Sequence, residues 1–186
     1  MHFNNASFLF LRKFVYSIYL LYFCNKKTNF MEKISVIRFV KEKFSGKVDK
    51  GGHAYFKHCD RVAKSAFKLL LDDDKALKVW YIGMLHDILE DTDTTIDELK
   101  SIDGVTDEII ESVKTLTRNY YGDETYFEYI ERVSKDDFAC IVKICDLKDN
   151  MDITRLPELT DEHFSLLKRY HKAYGILTGK FTIYNN

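Results

Sequence analysis

From residue 31 onward the apolar positions recur at helical spacing almost everywhere. Ile34, Ile37, Val40 and Phe44 fall on one face of a first helix that ends near Gly46. Tyr55, Val62, Ala66 and Leu70 mark a second, closed by the acidic run Asp72–Asp74. The pattern predicts a third helix from about Lys75 to Asp91. The tetrad TIDE, Thr95 to Glu98, has the spacing of a capping box and starts a short helix to about Ile102. Thr106, followed by Asp107 and Glu108, starts another that reaches Leu116 or Thr117. Further helices are expected at about 124–134, 136–149 and 161–178, the last with Thr160 as N-cap and Gly179 just past its end. No segment alternates with period two, and there are no internal repeats. The expectation is an all-α, single-domain helical bundle.

The first thirty residues do not fit this pattern. FLFLRKFVYSIYLLYFC is apolar apart from Arg12 and Lys13, yet its charge-free part, 14–24, is only eleven residues. An ordinary membrane-spanning helix needs about 20. A basic pair before a short apolar run resembles a signal sequence, but no A-x-A-like cleavage site follows. The favoured expectation is that translation begins at Met31, where MEKISVIRFVKEKF reads as a plain amphipathic helix, with a membrane anchor as the alternative. The domain is accordingly expected over 31–180, and membrane association only if residues 1–30 are genuine.

Composition narrows the classes. The chain of 186 residues is 46% hydrophobic and 15% aromatic, with a single proline, which suits one domain with a sizeable core rather than a disordered segment. Residues 1–30 carry a balance of +4, which leaves −5 on the remainder out of an overall −1. A mildly acidic body argues against a nucleic-acid polymer as partner, since that needs a clustered basic face. A small anionic substrate stays open if a metal supplies positive charge locally. Cys24, Cys59, Cys140 and Cys145 form no CxxC pair, and their spacing suits neither a zinc knuckle nor a disulfide framework. Reduced cysteines packed as small hydrophobes fit a cytoplasmic protein.

Candidate chemistry concentrates in HDILED, His86 to Asp91, directly after the apolar run VWYIGML. Buried charge is costly unless paired or bound to a metal. On a continuous helix His86 and Glu90 would share one face and Asp87 and Asp91 the next, so His86 and Asp87 could flank one ion. GGHAYFKHCDRVA offers His58 among apolar residues, and CIVKICDLKDNMD offers Asp146 and Asn150, four apart, after an apolar run. One His, a His-Asp pair and a distant Asp give mixed nitrogen and oxygen ligation, which suits Mn²⁺ or another divalent transition metal better than Ca²⁺ or Mg²⁺. Taken singly, His58 reads as a core histidine, Asn150 as a backbone partner, and Glu90 and Asp91 as surface acids, although the helix dipole disfavours carboxylates at a C-terminus. His53, His163 and His171 read as ordinary polar residues, and Tyr120, Tyr121, Tyr126 and Tyr129 as core or cleft wall with the option of stacking on a base.

These residues resemble the HD superfamily of metal-dependent phosphohydrolases, and more closely the hydrolase domain of Rel/Spo-type alarmone enzymes and their small single-domain relatives. Five pieces match in order over roughly 31–178: KVDKGGHAYFKH, LHDILEDT, TIDEL, VKTLT and VKICDLKDN. The resemblance implies His58, His86, Asp87 and Asp146 as metal ligands, and Glu90 and Asp91 as the acidic pair that orients or deprotonates the attacking water. It implies Asn150 and Lys50 as substrate contacts; Lys143, Lys148, Arg118 and Arg155 are weaker candidates for holding phosphate. Asp49 stands where alarmone hydrolases tend to carry Arg, and MDITRL replaces their usual continuation after Asn150. The stretches around 115–133 and 167–177 look more like short, uncharacterised HD proteins.

The implied function is metal-dependent hydrolysis of a phosphate or pyrophosphate ester of a nucleotide. Guanosine 3′,5′-bis(diphosphate) 3′-pyrophosphohydrolase activity is the first to test, with no synthetase domain in what remains of the chain. The alternatives are a broad HD-type nucleotidase or phosphatase, and a non-catalytic metal- or nucleotide-binding regulator. Nothing in the sequence indicates an oligomeric state.

Overall fold

A computed structural model describes residues 31–179; the N-terminal thirty residues, with the leader and anchor readings attached to them, lie outside the described residues. The fold is all-α. Helix α1 (31–43) buries Val36 and Val40, with Phe44 just beyond it, and leaves Ile37 half-buried. Helix α2 (Phe56–Phe67) sets His58, Cys59, Val62, Ala63 and Ala66 into the core. Between them the chain closes a loop with an isolated antiparallel bridge, Val48 to Ala54.

Helix α3 (Asp73–Leu85) buries every residue from Val79 to Leu85. A helix apolar all round belongs in the middle of a bundle, and α3 packs against α2, α6 and α8. The acidic run assigned to the end of the second helix instead begins this one. Asp72 is the N-cap, accepting from Lys75 N at 2.8 Å, and Asp73 and Asp74 occupy the first turn, where the dipole favours them.

The predicted helix 75–91 is not continuous. α3 stops at Leu85, His86 caps it, and a one-turn helix α4 (Ile88–Asp91) restarts after Asp87, whose φ of −104° and ψ of 3° turn the chain. The His86 ring contributes to the break: Nδ1–H donates to the Gly83 carbonyl at 2.8 Å, engaging an acceptor of the last turn.

The remaining helices sit close to where the apolar spacing puts them. Helix α5 (Ile96–Lys100) has the Thr95–Glu98 capping box complete. Helix α6 (Asp107–Leu116) is capped by Thr106, and α7 (Tyr126–Val133) by a second full box, Thr125 with Glu128. Helix α8 (Asp137–Asn150) follows the cap Asp136, and a 3₁₀ turn (Ile153–Arg155) leads to α9 (Asp161–Leu177). His163, read as an ordinary polar residue, closes the α9 capping box, its Nδ1 accepting from Thr160 N at 3.1 Å. Cys59, Cys140 and Cys145 are free thiols; Cys24 lies outside the described residues. Among the described residues no helix is long and apolar enough to cross a membrane.

One close approach sets the distance between the two His-bearing helices. A Cβ placed on Gly83 would lie 2.7 Å from Ala63 Cα, so α2 and α3 touch backbone to backbone at this point. Gly83 is three residues before His86, and Ala63 five after His58. Gly83→Ala must push the helices apart, and overpacking of this kind costs about 1–3 kcal/mol. Urea unfolding of the variant should show that loss.

Candidate metal centre

Four side chains from three helices meet at the base of a cleft. His58 stands on the first turn of α2, His86 and Asp87 at the break after α3, and Asp146 near the end of α8. Ligand atoms of His58, His86 and Asp146 lie within 4.8 Å of one another. The two Nε2 atoms are 3.2 Å apart. Asp87 Oδ2 is 2.9 Å from His86 Nε2 and 3.6 Å from His58 Nε2; Asp146 Oδ1 is 3.2 Å from His58 Nε2 and 3.7 Å from His86 Nε2. All but Asp87 are buried, with His86 only 1% exposed.

The ring protons are committed elsewhere. His86 Nδ1 faces the Gly83 carbonyl and His58 Nδ1 faces Asp149 Oδ2 at 2.7 Å, and both of those groups only accept. Each neutral ring therefore turns a bare Nε2 lone pair inward, toward the other lone pair and two carboxylates. Without a cation between them these donors repel. A divalent metal fits the set: two imidazole nitrogens and two carboxylates, with the outer ring nitrogens fixed by hydrogen bonds. Protons fill the same need in part. For His86, burial works against the charged form, but Asp87 foremost and Asp146 outweigh it and hold the pKa up at about 9. His58 moves the same way, with burial opposed by hydrogen bonds from Asp146, Asp149 and Asp87.

A second layer holds the carboxylates. Tyr55, which the sequence suggested only as a core residue, donates its hydroxyl to Asp87 Oδ2 at 2.6 Å. Lys143 donates to Asp146 Oδ2 at 2.8 Å, and Asn150 Nδ2 donates to Asp146 Oδ1. Burial of Lys143 opposes its charge, but Asp146 beside it raises the pKa well above the ordinary value.

The cleft above this floor has a volume of about 260 Å³. Asp87, Asp146, Glu90 and Asp91 line it together with Lys50, Arg118, Lys143 and Arg169. Lys50 reaches in from the 48–54 loop, donating to Asn150 Oδ1 at 3.1 Å and the Tyr170 hydroxyl at 2.9 Å. Glu90 Oε2 accepts from Arg118 N at 3.2 Å; desolvation raises its pKa, Arg118 opposes that, and Asp87 adds to it. The Tyr126 hydroxyl is buried in the cleft wall with no partner among the described residues.

All eight residues singled out from sequence gather here: His58 and His86 below the floor, and Lys50, Asp87, Glu90, Asp91, Asp146 and Asn150 on the cleft lining. Of the weaker phosphate candidates, Lys143 and Arg118 line the cleft. Lys148 instead lies over the Tyr174 ring, and Arg155 pairs with Asp49 and Asp149. Asp149, Arg61, Tyr55, Arg169 and Tyr170 went unassigned. A signal existed for three of them: Tyr55 and Arg61 stand three residues either side of His58, and Asp149 three after Asp146, the spacing of side-chain neighbours on a helix. Asp49, the departure from the alarmone pattern, is buried against Arg61 and Arg155.

No family model matches the chain. The guanosine-3′,5′-bis(diphosphate) 3′-pyrophosphohydrolase of Aquifex aeolicus (strain VF5) is 31% identical over 117 residues, which cover 61% of this chain and 16% of that much longer protein. A solved structure described as "A metazoan ortholog of SpoT hydrolyzes ppGpp and plays a role in starvation responses" superposes with a TM-score of 0.63 at 18% identity, covering 78% of this chain and 84% of that one. The helical fold is shared with that structure.

Both imidazoles must be neutral to bind a cation, so protons compete with it, at His86 below a pKa of about 9 and at His58 in the same direction, because its carboxylate neighbours also raise its pKa. Isothermal titration of chelator-stripped protein with Mn²⁺ should give one site whose affinity rises from pH 6 toward pH 9. His86→Ala should abolish that site.

Proposed function

We propose that the domain, taken as 31–180, is a metal-dependent phosphohydrolase acting on a phosphate or pyrophosphate ester of a nucleotide. The first candidate reaction is removal of the 3′-pyrophosphate of guanosine 3′,5′-bis(diphosphate), which the Aquifex protein's name describes. The observation that carries the reading is the inward-facing pair of imidazole lone pairs between Asp87 and Asp146, at the floor of a cleft that cations also line. His58, His86, Asp87 and Asp146 would hold a divalent metal, Mn²⁺ first. Bound there, it would lower the pKa of a water molecule and offset phosphate charge.

The protein's own groups supply the rest. Glu90, partly desolvated, has its pKa raised toward the working range of a general base and is suited to take the proton of the attacking water. Asp91, one residue on, orients that water. Lys143 stands beside Asp146, where it can meet a phosphoryl oxygen close to the reacting centre. Arg118 and Arg169 line the outer cleft, where they can hold further phosphate oxygens. Lys50 and Asn150, hydrogen-bonded to each other, present a cation and an amide to the sugar and base. Tyr126 offers the same cleft an unused hydroxyl. The free thiols fit a cytoplasmic setting.

Asp49 favours keeping the second reading, a broader HD-type nucleotidase. An acid locked between two arginines cannot offer a substrate the positive charge a loop arginine would. A panel of nucleotides turned over with Mn²⁺ separates the two. Release of pyrophosphate from the 3′-substituted guanosine alone supports the first, phosphate from many members supports the second, and no release from any member sinks both. Glu90→Gln should lower kcat by roughly 10²–10⁴-fold while leaving the Mn²⁺ titration unchanged.

A further inference from the structure

Behind His58, on the side away from the cleft, Asp149 belongs to a four-membered ion cluster with Asp49, Arg61 and Arg155. Asp149 Oδ2 accepts from His58 Nδ1 at 2.7 Å. Arg61 donates from Nε to Asp149 Oδ1 at 2.7 Å and from Nη2 to Asp49 Oδ2 at 2.8 Å. Arg155, delivered by the 3₁₀ turn, spans the same two acids, with Nη1 3.1 Å from Asp49 Oδ2 and Nη2 3.1 Å from Asp149 Oδ2. Asp49 in turn accepts from the backbone N–H groups of Gly51 and His53 at 3.0 and 2.9 Å. Two carboxylates and two guanidinium groups cancel in charge, so the cluster persists in a partly buried place.

We propose that Asp149, gripped by Arg61 and Arg155, is the positioning residue that fixes His58 for metal binding. The inference rests on the metal-centre reading. Asp149 touches the ring nitrogen opposite Nε2, so it stands outside the ligand set and acts through His58. Its carboxylate keeps the proton on Nδ1, holds the ring plane and makes Nε2 a better donor. The two arginines matter because a carboxylate free to rotate would fix nothing: each oxygen of Asp149 has a guanidinium partner, and α2 and the 3₁₀ turn anchor those partners from two directions. Among the described residues Asp149 alone meets His58 Nδ1, whereas His86 has a backbone carbonyl for that purpose.

The test is Mn²⁺ titration by calorimetry of chelator-stripped wild type, Asp149→Asn, Asp149→Ala, Arg61→Gln and the Asp149→Asn/Arg61→Gln double variant, each with a thermal melt. Asp149→Ala should raise Kd by about 10–100-fold. Asp149→Asn should raise it less, because an amide oxygen still accepts from Nδ1–H. Should Asp149→Ala not fold, Asp149→Asn carries the test. The double variant should bind no more weakly than Asp149→Asn alone, because the arginine acts through Asp149. Variants that melt earlier but bind Mn²⁺ as wild type does would overturn the proposal and leave the cluster a structural staple. An additive double variant would overturn the role given to Arg61. Wild type that binds no Mn²⁺ would instead bring down the metal-centre reading itself.

Discussion

The structure turns on two imidazoles whose outer nitrogens are already spoken for. Because Gly83 O and Asp149 take the Nδ1 protons, the Nε2 lone pairs of His58 and His86 face each other across 3.2 Å in a buried place. Two neutral rings in that relation cannot hydrogen-bond, two charged rings repel, and a single proton shared between them offsets the carboxylates only in part. Asp87 and Asp146 add negative charge on either side. The arrangement makes physical sense around a cation, and the rest of the bundle serves to impose it. Gly83 brings α2 and α3 into backbone contact so that the rings can meet, and the break at Asp87 turns a second ligand toward the same point.

Around this centre, neighbouring groups of one kind are set in different environments. Asp146 has Lys143 and Asn150 on its oxygens, and although burial favours its neutral form, Lys143 and the two histidines hold its pKa well below the ordinary value. Glu90 has a single backbone N–H and is pushed the other way. A metal ligand should stay ionised and a general base should hold a proton readily, so the surroundings of Asp146 and Glu90 match the roles proposed for them.

Much of this was legible in the sequence because it rests on short-range rules. The caps at Thr95, Thr106 and Thr160 follow from side chains competing for backbone N–H groups within three residues. The all-α fold follows from a period that never switches. The break in the third helix was not legible, since LHDILED keeps helical spacing straight through, and the ring nitrogen that meets the Gly83 carbonyl there is a side-chain detail the spacing does not carry. Asp72–Asp74 was misplaced because an acidic run after an apolar face reads equally as an end or a beginning, and only the Asp72 cap decides it. The candidate ligands themselves could be picked out as polar residues in apolar settings. Their supporting partners left only a spacing signal, Tyr55 and Arg61 three residues either side of His58 and Asp149 three after Asp146, and what they hold in place appears only when α2, α3 and α8 are packed together.

Helix α8 carries an unusual share of the work. Lys143, Asp146 and Asn150 recur at three- and four-residue intervals and lie along one stripe, with Asp149 just to its side facing His58. A rigid rod bearing a cation, a ligand, an amide and a brace on one edge can only be moved as a whole. Rotating it by a single residue would misplace all four together. Freedom to retune what enters the cleft therefore lies in the parts that touch it independently: the 48–54 loop with Lys50, the start of α7 with Tyr126, and the Arg169–Tyr170 edge of α9.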